Sequence, residues 1–92
     1  MNRKDLVEDV ATTSGLSTAQ ADAAVTAVLT AITRSVAGGE RVTLPGFGSF
    51  ERRERAARTG RNPQTGEAME IAAGASPAFK PATAFKAAVS AG

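Results

Sequence analysis

The stretch RRERAARTGRNPQTGE, Arg52–Glu67, decides how the rest of the chain is read. Five arginines fall within its first ten residues, Arg52, Arg53, Arg55, Arg58 and Arg61, with Glu54 the single acid among them. Asn62-Pro63 follows, between Gly60 and Gly66. No large apolar side chain occurs from residue 51 to 68. A strand pair built from this stretch has almost nothing to bury, and an isolated two-stranded ribbon is marginal in water. The segment is therefore read as a projecting cationic arm. Pro63 has no backbone N–H to give a sheet and belongs at a turn or a ribbon tip. There it is either a plain turn former or a rigid apolar wedge.

Working outward, Arg41–Leu44 alternates polar and apolar, as a half-buried strand does. Pro45-Gly46 turns the chain, and Phe47–Phe50 open a second strand that runs into the arginines. EAMEI, Glu67–Ile71, alternates again and returns antiparallel. The simplest pairing sets 52–60 against 66–74, with a turn at Arg61–Thr65. On such a strand Arg53 and Arg55 face one side and Arg52 the other. LPGFGSF, Leu44–Phe50, has a passing likeness to a glycine-rich phosphate loop, but it lacks the third glycine and the lysine and leads into a strand. It is read as a tight turn with two core phenylalanines. Glu51 and Glu54 lie among arginines and are read as solvated or salt-bridged.

The flanks are helical. Asn2 caps a first helix with Asp5 in its first turn and Leu6, Val7, Val10 and Ala11 on one face, ended by Thr12–Gly15. Ser17 and Gln20 form a capping box for a second helix. Ala21, Ala24, Val25, Val28, Leu29, Ile32 and Val36 give it a broad apolar stripe, and Gly38-Gly39 stops it. A short helix near Thr83–Ser90 closes the chain, with Phe85 and Val89 on one face. Helix, helix, strands, helix is an α+β order.

Composition narrows the function. The chain has 92 residues, no Cys and no His, so disulfides, Cys/His zinc sites and histidine general bases are excluded. The start MNRKDLVEDV has no apolar h-region and is not read as a secretory signal. Net charge is only +2, but residues 1–40 carry three cations and five acids while 52–61 carry five arginines and one acid. A local basic block on a nearly neutral chain implies a local polyanion contact, against the plainer reading of a solvated face. If the arm does not pack, the remaining chain carries much apolar surface for so thin a core. A homodimer is expected.

The stretch GFGSFERRERAARTGRNPQT, Gly46–Thr65, resembles the signature of the bacterial HU / integration host factor family of histone-like proteins. The resemblance extends through GEAMEIAAGASPAFKP and back to MNRKDLV, nearly the whole chain. Gly46, Phe47, Phe50, Arg55, Arg58, Gly60, Asn62, Pro63 and Thr65 carry it. It implies an intertwined dimer whose two β-ribbon arms wrap DNA in the minor groove, with the tip proline inserted between base pairs, a mode general to HU and integration host factor. By position, Pro63 matches the intercalating proline. Arg55, Arg58, Arg61 and Asn62 match groove-lining arm residues, Gln64 and Thr65 complete the tip, and Arg53 sits at the arm base. Arg3, Lys80 and Lys86 match phosphate-contacting body positions. The family often has lysine where this chain has Thr18 and Thr83, and glycine where it has Ala82, which thins the body's phosphate contacts.

The expectation is thus one HU-like domain over 1–92: a helical hairpin at 1–39, a sheet body at 40–51 and 75–81, an arm at 52–74 and a C-terminal helix at 82–92. Its function would be nucleoid-associated and architectural, binding and bending double-stranded DNA with little sequence preference and favouring bent, nicked or junction DNA. It would be cytoplasmic, with no enzymatic activity, cofactor, metal or membrane contact, and RNA stays open as a secondary ligand. The rivals are a sequence-preferring integration host factor–like protein and, from another class, a basic protein-interaction module.

Overall fold

Two helices open the chain because each carries its own start and stop signals. In the computed structural model, which describes residues 1–91, α1 spans Arg3–Ser14. The Asn2 side chain accepts the Asp5 N–H at 3.0 Å and Asp5 accepts the Asn2 N–H at 3.4 Å, a reciprocal box. Thr12–Ser14 do not end α1, as expected, but lie inside it. The Thr12 hydroxyl donates to the Glu8 carbonyl at 3.0 Å, which satisfies it within the helix. Gly15 is the stop, in the left-handed region at φ 70°.

Helix α2 runs from Thr18 to Ala37. Its box is the one read from Ser17 and Gln20, with the Gln20 N–H on Ser17 Oγ at 3.1 Å and the Ser17 N–H on Gln20 Oε1 at 3.0 Å. Its C-terminus is a Schellman motif: the Glu40 N–H donates to the Ser35 carbonyl at 2.8 Å and the Gly39 N–H to that of Val36 at 2.9 Å. Gly39, at φ 89°, makes that path accessible.

The chain divides into two compact units, Met1–Arg34 and Ser35–Gly92. In the first, Val7, Ala11, Ala21 and Val25 form the core, with Val10 packed against it. The rest of the expected stripe is not covered. Val28 is 55 % exposed, Leu29 51 % and Leu6 40 %.

In the second unit, β1 (Val42–Leu44), β2 (Gly48–Arg55) and β5 (Gly74–Pro81) form an antiparallel sheet in the order β1-β2-β5. Strands β3 (Arg58–Arg61) and β4 (Ala68–Ile71) form a separate two-stranded sheet. The register differs from the simplest pairing. Arg52 lies opposite Pro77 and Gly60 opposite Met69, a slip of three residues from 52–60 against 66–74. An odd slip exchanges the faces of one strand relative to the other. The cause is the tip: Arg61 stays in the ladder opposite Ala68, so the turn lengthens towards Glu67, closed by Asn62 and Gly66. Continuing the Arg55–Gly74 register three residues along reaches Arg58–Ile71, so one ribbon register spans the break at Ala56-Ala57 and Ala72-Ala73.

All four phenylalanines meet on the sheet. Phe50 and Phe79 are opposite one another with centroids 4.8 Å apart, and Phe47 stands 5.5 Å from Phe79 and 5.0 Å from Phe85. Phe85 belongs to α3, Thr83–Ala91. The Ala82 N–H donates to the Phe47 carbonyl at 2.9 Å, which fastens the start of α3 to the β1–β2 turn. A Cβ at Gly48 would fall 2.5 Å from the Phe79 ring, so this glycine lets the ring lie on the strand. The final residue of the expected helix, Gly92, lies outside the described residues.

Candidate nucleic-acid interface

Strand alternation sorts the arginines into different surroundings. Ser49, Glu51, Arg53 and Arg55 share one face of β2, and Lys80, Ala78, Ser76 and Gly74 of β5 lie opposite them. Lys80 is therefore a diagonal neighbour of Glu51 across the strand pair, and Arg53 is its same-face neighbour two residues along β2. The Glu51 carboxylate stands 3.3 Å from Lys80 Nζ and 3.6 Å from an Arg53 nitrogen. Lys80, by hydrogen bond and then by charge, holds the Glu51 carboxyl below its ordinary value; burial opposes this, and the Arg41 and Arg53 charges add to it in lesser measure. Glu51 and Glu54 are thus salt-bridged, as read from their surroundings.

Arg52, on the other face, is engaged within the chain although it stays exposed. Its Nε lies 2.8 Å from Glu54 and its Nη1 donates to the Ala37 carbonyl at 2.7 Å. That carbonyl belongs to the last turn of α2, which leaves acceptors unpaired and carries partial negative charge. One of the five arginines is therefore a helix cap. Nothing local in the sequence signals this, because its partner lies fifteen residues away.

Arg55 ends β2 opposite Gly74, and a Cβ on that glycine would sit 2.8 Å from the guanidinium. Arg55 thus lies across the ribbon where Gly74 leaves room. Arg58 opens β3, exposed, opposite Ile71. Among the described residues neither guanidinium enters an ion pair. Every residue from Arg52 to Thr59 is exposed, and so is every one from Pro63 to Glu70.

The tip is ordered by short bonds. The Asn62 N–H donates to the Glu67 carbonyl at 2.8 Å and the Gly66 N–H to that of Asn62 at 2.7 Å. Gly66 sits at φ 72°. The Gln64 N–H donates to Asn62 Oδ1 at 2.9 Å, an Asx turn. Pro63 is exposed at the outer end of this loop. Arg61, Asn62, Pro63, Gln64 and Thr65 are thereby brought together, with Arg58 three residues down the strand.

The remaining positions belong to other elements. In the first unit, Arg3 donates to Asp22 Oδ1 at 2.9 Å and to Thr26 Oγ1 at 2.6 Å, so it is tied across the two helices. Lys86 is exposed on α3. Thr18 and Thr83 each begin a helix.

A family model described as bacterial DNA-binding protein matches residues 1–90. The chain belongs to this family, that of HU and integration host factor. Members of this DNA-binding protein family resemble it along their full length. DNA-binding protein HU of Geobacillus stearothermophilus is 58 % identical over 89 residues, 97 % of this chain and 99 % of that protein. HU of Staphylococcus aureus is 53 % identical over 89 residues, with the same coverage. Among solved structures, an Anabaena HU–DNA cocrystal superposes with a TM-score of 0.88 at 50 % identity, covering 97 % of each chain. HU from Thermotoga maritima gives 0.68 at 30 % identity, covering 97 % of this chain and 98 % of that one. The α+β class expected from the element order is the class of this fold.

Proposed function

We propose that this chain is an architectural protein of the bacterial nucleoid that binds and bends double-stranded DNA with little sequence preference. The observation that carries the reading is the ribbon at 52–74: a cationic strand pair, exposed except at the half-buried Gly60, Asn62, Ile71 and Gly74, ending in a hydrogen-bonded turn that presents Pro63. Arg55, Arg58 and Arg61 follow the groove, where a narrow minor groove concentrates negative potential. Asn62, Gln64 and Thr65 lie beside Pro63 at the kink. Arg53 and Lys80 at the ribbon base, with Arg3 and Lys86 on the body, take phosphates along the bent flanks. Unstacking a base step costs a few kcal/mol, offset by the added wrapped contacts, as in the known minor-groove mode of HU and integration host factor. The role is mechanical and includes no chemical step.

Two such chains form the working unit. The uncovered Val28, Leu29 and Leu6 in the first unit, and Phe47, Phe79 and Val89 in the second, are the surface a second copy covers. Each large apolar side chain fully removed from water contributes about 1.5–3 kcal/mol. The domain is then one functional body, with 1–39, 40–51, 75–81 and 82–92 as its frame and 52–74 as its arm. Bent, nicked or branched duplex is the preferred ligand because part of its deformation is already made. RNA offers the same phosphates and is a weaker secondary ligand.

A mobility-shift comparison of linear, nicked and four-way-junction DNA across salt tests this. With about six phosphates neutralised, log K falls against log salt with a slope near −5, and distorted DNA is held tighter. A strong preference for one defined duplex over random sequence would instead point to an integration host factor–like protein. Absence of salt-sensitive DNA binding would point to a basic module for an acidic protein partner.

A further inference from the structure

The carbonyls at the end of α2 have no partner within the helix. The Glu40 N–H takes that of Ser35 and the Gly39 N–H that of Val36, while that of Ala37 accepts from Arg52 Nη1 at 2.7 Å. Arg52 lies two residues beyond Phe50 on the same face of β2, the face on which Phe50 meets Phe79. The packed face of the strand thus continues outward as a polar fastening where the phenylalanines stop. Opposite Arg52 on β5 stands Pro77, whose side chain offers neither donor nor charge. Arg52 instead bonds Glu54 through Nε at 2.8 Å, and that carboxylate offsets its charge. Ala37, Arg52 and Glu54 all belong to the second unit.

We infer that Arg52 is a positioning residue that fastens the base of the ribbon to the last turn of α2 and takes no phosphate itself. The inference rests on the reading of the ribbon as a DNA arm, and it concerns only the base of that arm. A bent duplex resists its bend elastically, so arms that hold it are pulled. The pull reaches the sheet where β2 leaves the phenylalanine cluster, at Arg52. A side chain that bridges two elements there resists it however the outer ribbon moves. Arginine suits the task because its planar fork bonds two acceptors at once, and the Ala37 carbonyl lies at the negative end of the helix dipole, which favours a cation. With its charge offset by Glu54 and its Nη1 committed to Ala37, Arg52 has less to offer a phosphate than Arg58, which enters no ion pair among the described residues.

The test compares Arg52→Gln, too short to reach Ala37, with Arg52→Lys, which keeps the charge and a long donor. Both changes fall at an exposed strand position and leave the phenylalanine cluster whole. In the free full-length protein, amide exchange at Gly39 and Glu40 should speed up about fivefold in Arg52→Gln, because the cap they share loses a bond, and return most of the way in Arg52→Lys. Salt titrations on random duplex should give Arg52→Gln the wild-type slope, whereas Arg58→Gln loses about one unit. Energy transfer across a nicked duplex, read at saturating protein so that affinity does not enter, should show part of the bend lost in Arg52→Gln and restored in Arg52→Lys. Exchange at Gly39 and Glu40 that is equal in wild type and Arg52→Gln overturns the inference. So does a salt slope lowered by about one unit in Arg52→Gln, which would make Arg52 a phosphate ligand. Faster exchange with an unchanged bend overturns it too, because the bond would then cap α2 without positioning the arm. A wild-type protein that leaves the duplex straight overturns the DNA-arm reading instead. In that case exchange at Gly39 and Glu40 still decides whether Arg52 caps α2.

Discussion

The two ends of one antiparallel ribbon are stabilised in different ways. At its base, Gly48–Glu51 against Ala78–Pro81 carries the phenylalanine cluster on one face and the Glu51 ion pairs on the other. Farther out, Arg58–Arg61 against Ala68–Ile71 has little apolar contact: Ile71 and Met69 lie over Gly60, where an added Cβ would come within 3.0 Å of Ile71 Cδ1 and 4.0 Å of Met69 Cγ. The base is held by burial and the outer half by ladder bonds and tip closure. The same backbone geometry therefore serves two purposes. Substitutions at the base should register as loss of folding stability, and substitutions towards the tip, if the proposed arm contacts hold, as loss of binding.

The sharpest test of that contrast pairs one apolar truncation from each end. Phe79→Ala removes the ring shared by Phe47, Phe50 and Phe85 and should cost about 3 kcal/mol, the low end for a phenylalanine because Phe79 keeps 39 % exposure. Ile71→Ala should cost roughly 1 kcal/mol or less, since its side chain has little beyond Gly60 to leave. Denaturant unfolding at one fixed protein concentration measures both. Similar losses would mean that the outer ribbon is packed after all.

The next effect lies in binding. Arg58→Ala should leave the unfolding midpoint in place and flatten the salt slope of DNA binding by about one unit, equally on every sequence. A loss confined to some sequences would make Arg58 a base reader rather than a phosphate contact.

The smallest effect belongs to Glu51. Its folded-state carboxyl is lowered from an ordinary value of 4.5. Its stabilisation is therefore fully present above that value and is lost as pH falls through the lower, folded one. Between pH 5 and pH 3 the wild type should lose slightly more stability than Glu51→Gln. The difference is small because the opposing cations, Lys80 and Arg53, are themselves largely solvated. Parallel pH profiles would show that Lys80 and Arg53 do not depend on it.

The same contrast explains what the sequence could disclose. Local signals were legible: the Ser17–Gln20 box, the Gly38-Gly39 stop and the Pro45-Gly46 turn each depend on neighbours a few residues away. The ribbon was legible as a bare cationic strand pair because a missing apolar residue is visible in a string of letters. Its register was not, since it depends on how many residues the Asn62–Glu67 turn takes up, and Arg61 sat at the boundary between strand and turn. The partners of Arg52 and Arg3 were equally hidden. Arg52 reaches Ala37 and Arg3 reaches Asp22 and Thr26 through the fold, so their charge was visible but not their roles. The apolar stripe of α2 was legible as a stripe, but the chain's own fold leaves Val28 and Leu29 open.

The central claim is that Pro63, held at the end of the ribbon, makes the bend. Fluorescence energy transfer across a nicked duplex labelled at both ends measures it directly, with wild type and Pro63→Ala compared at saturation and across a salt titration. The account predicts that Pro63→Ala loses most of the bend while affinity falls much less. An unchanged bend angle in Pro63→Ala would contradict it.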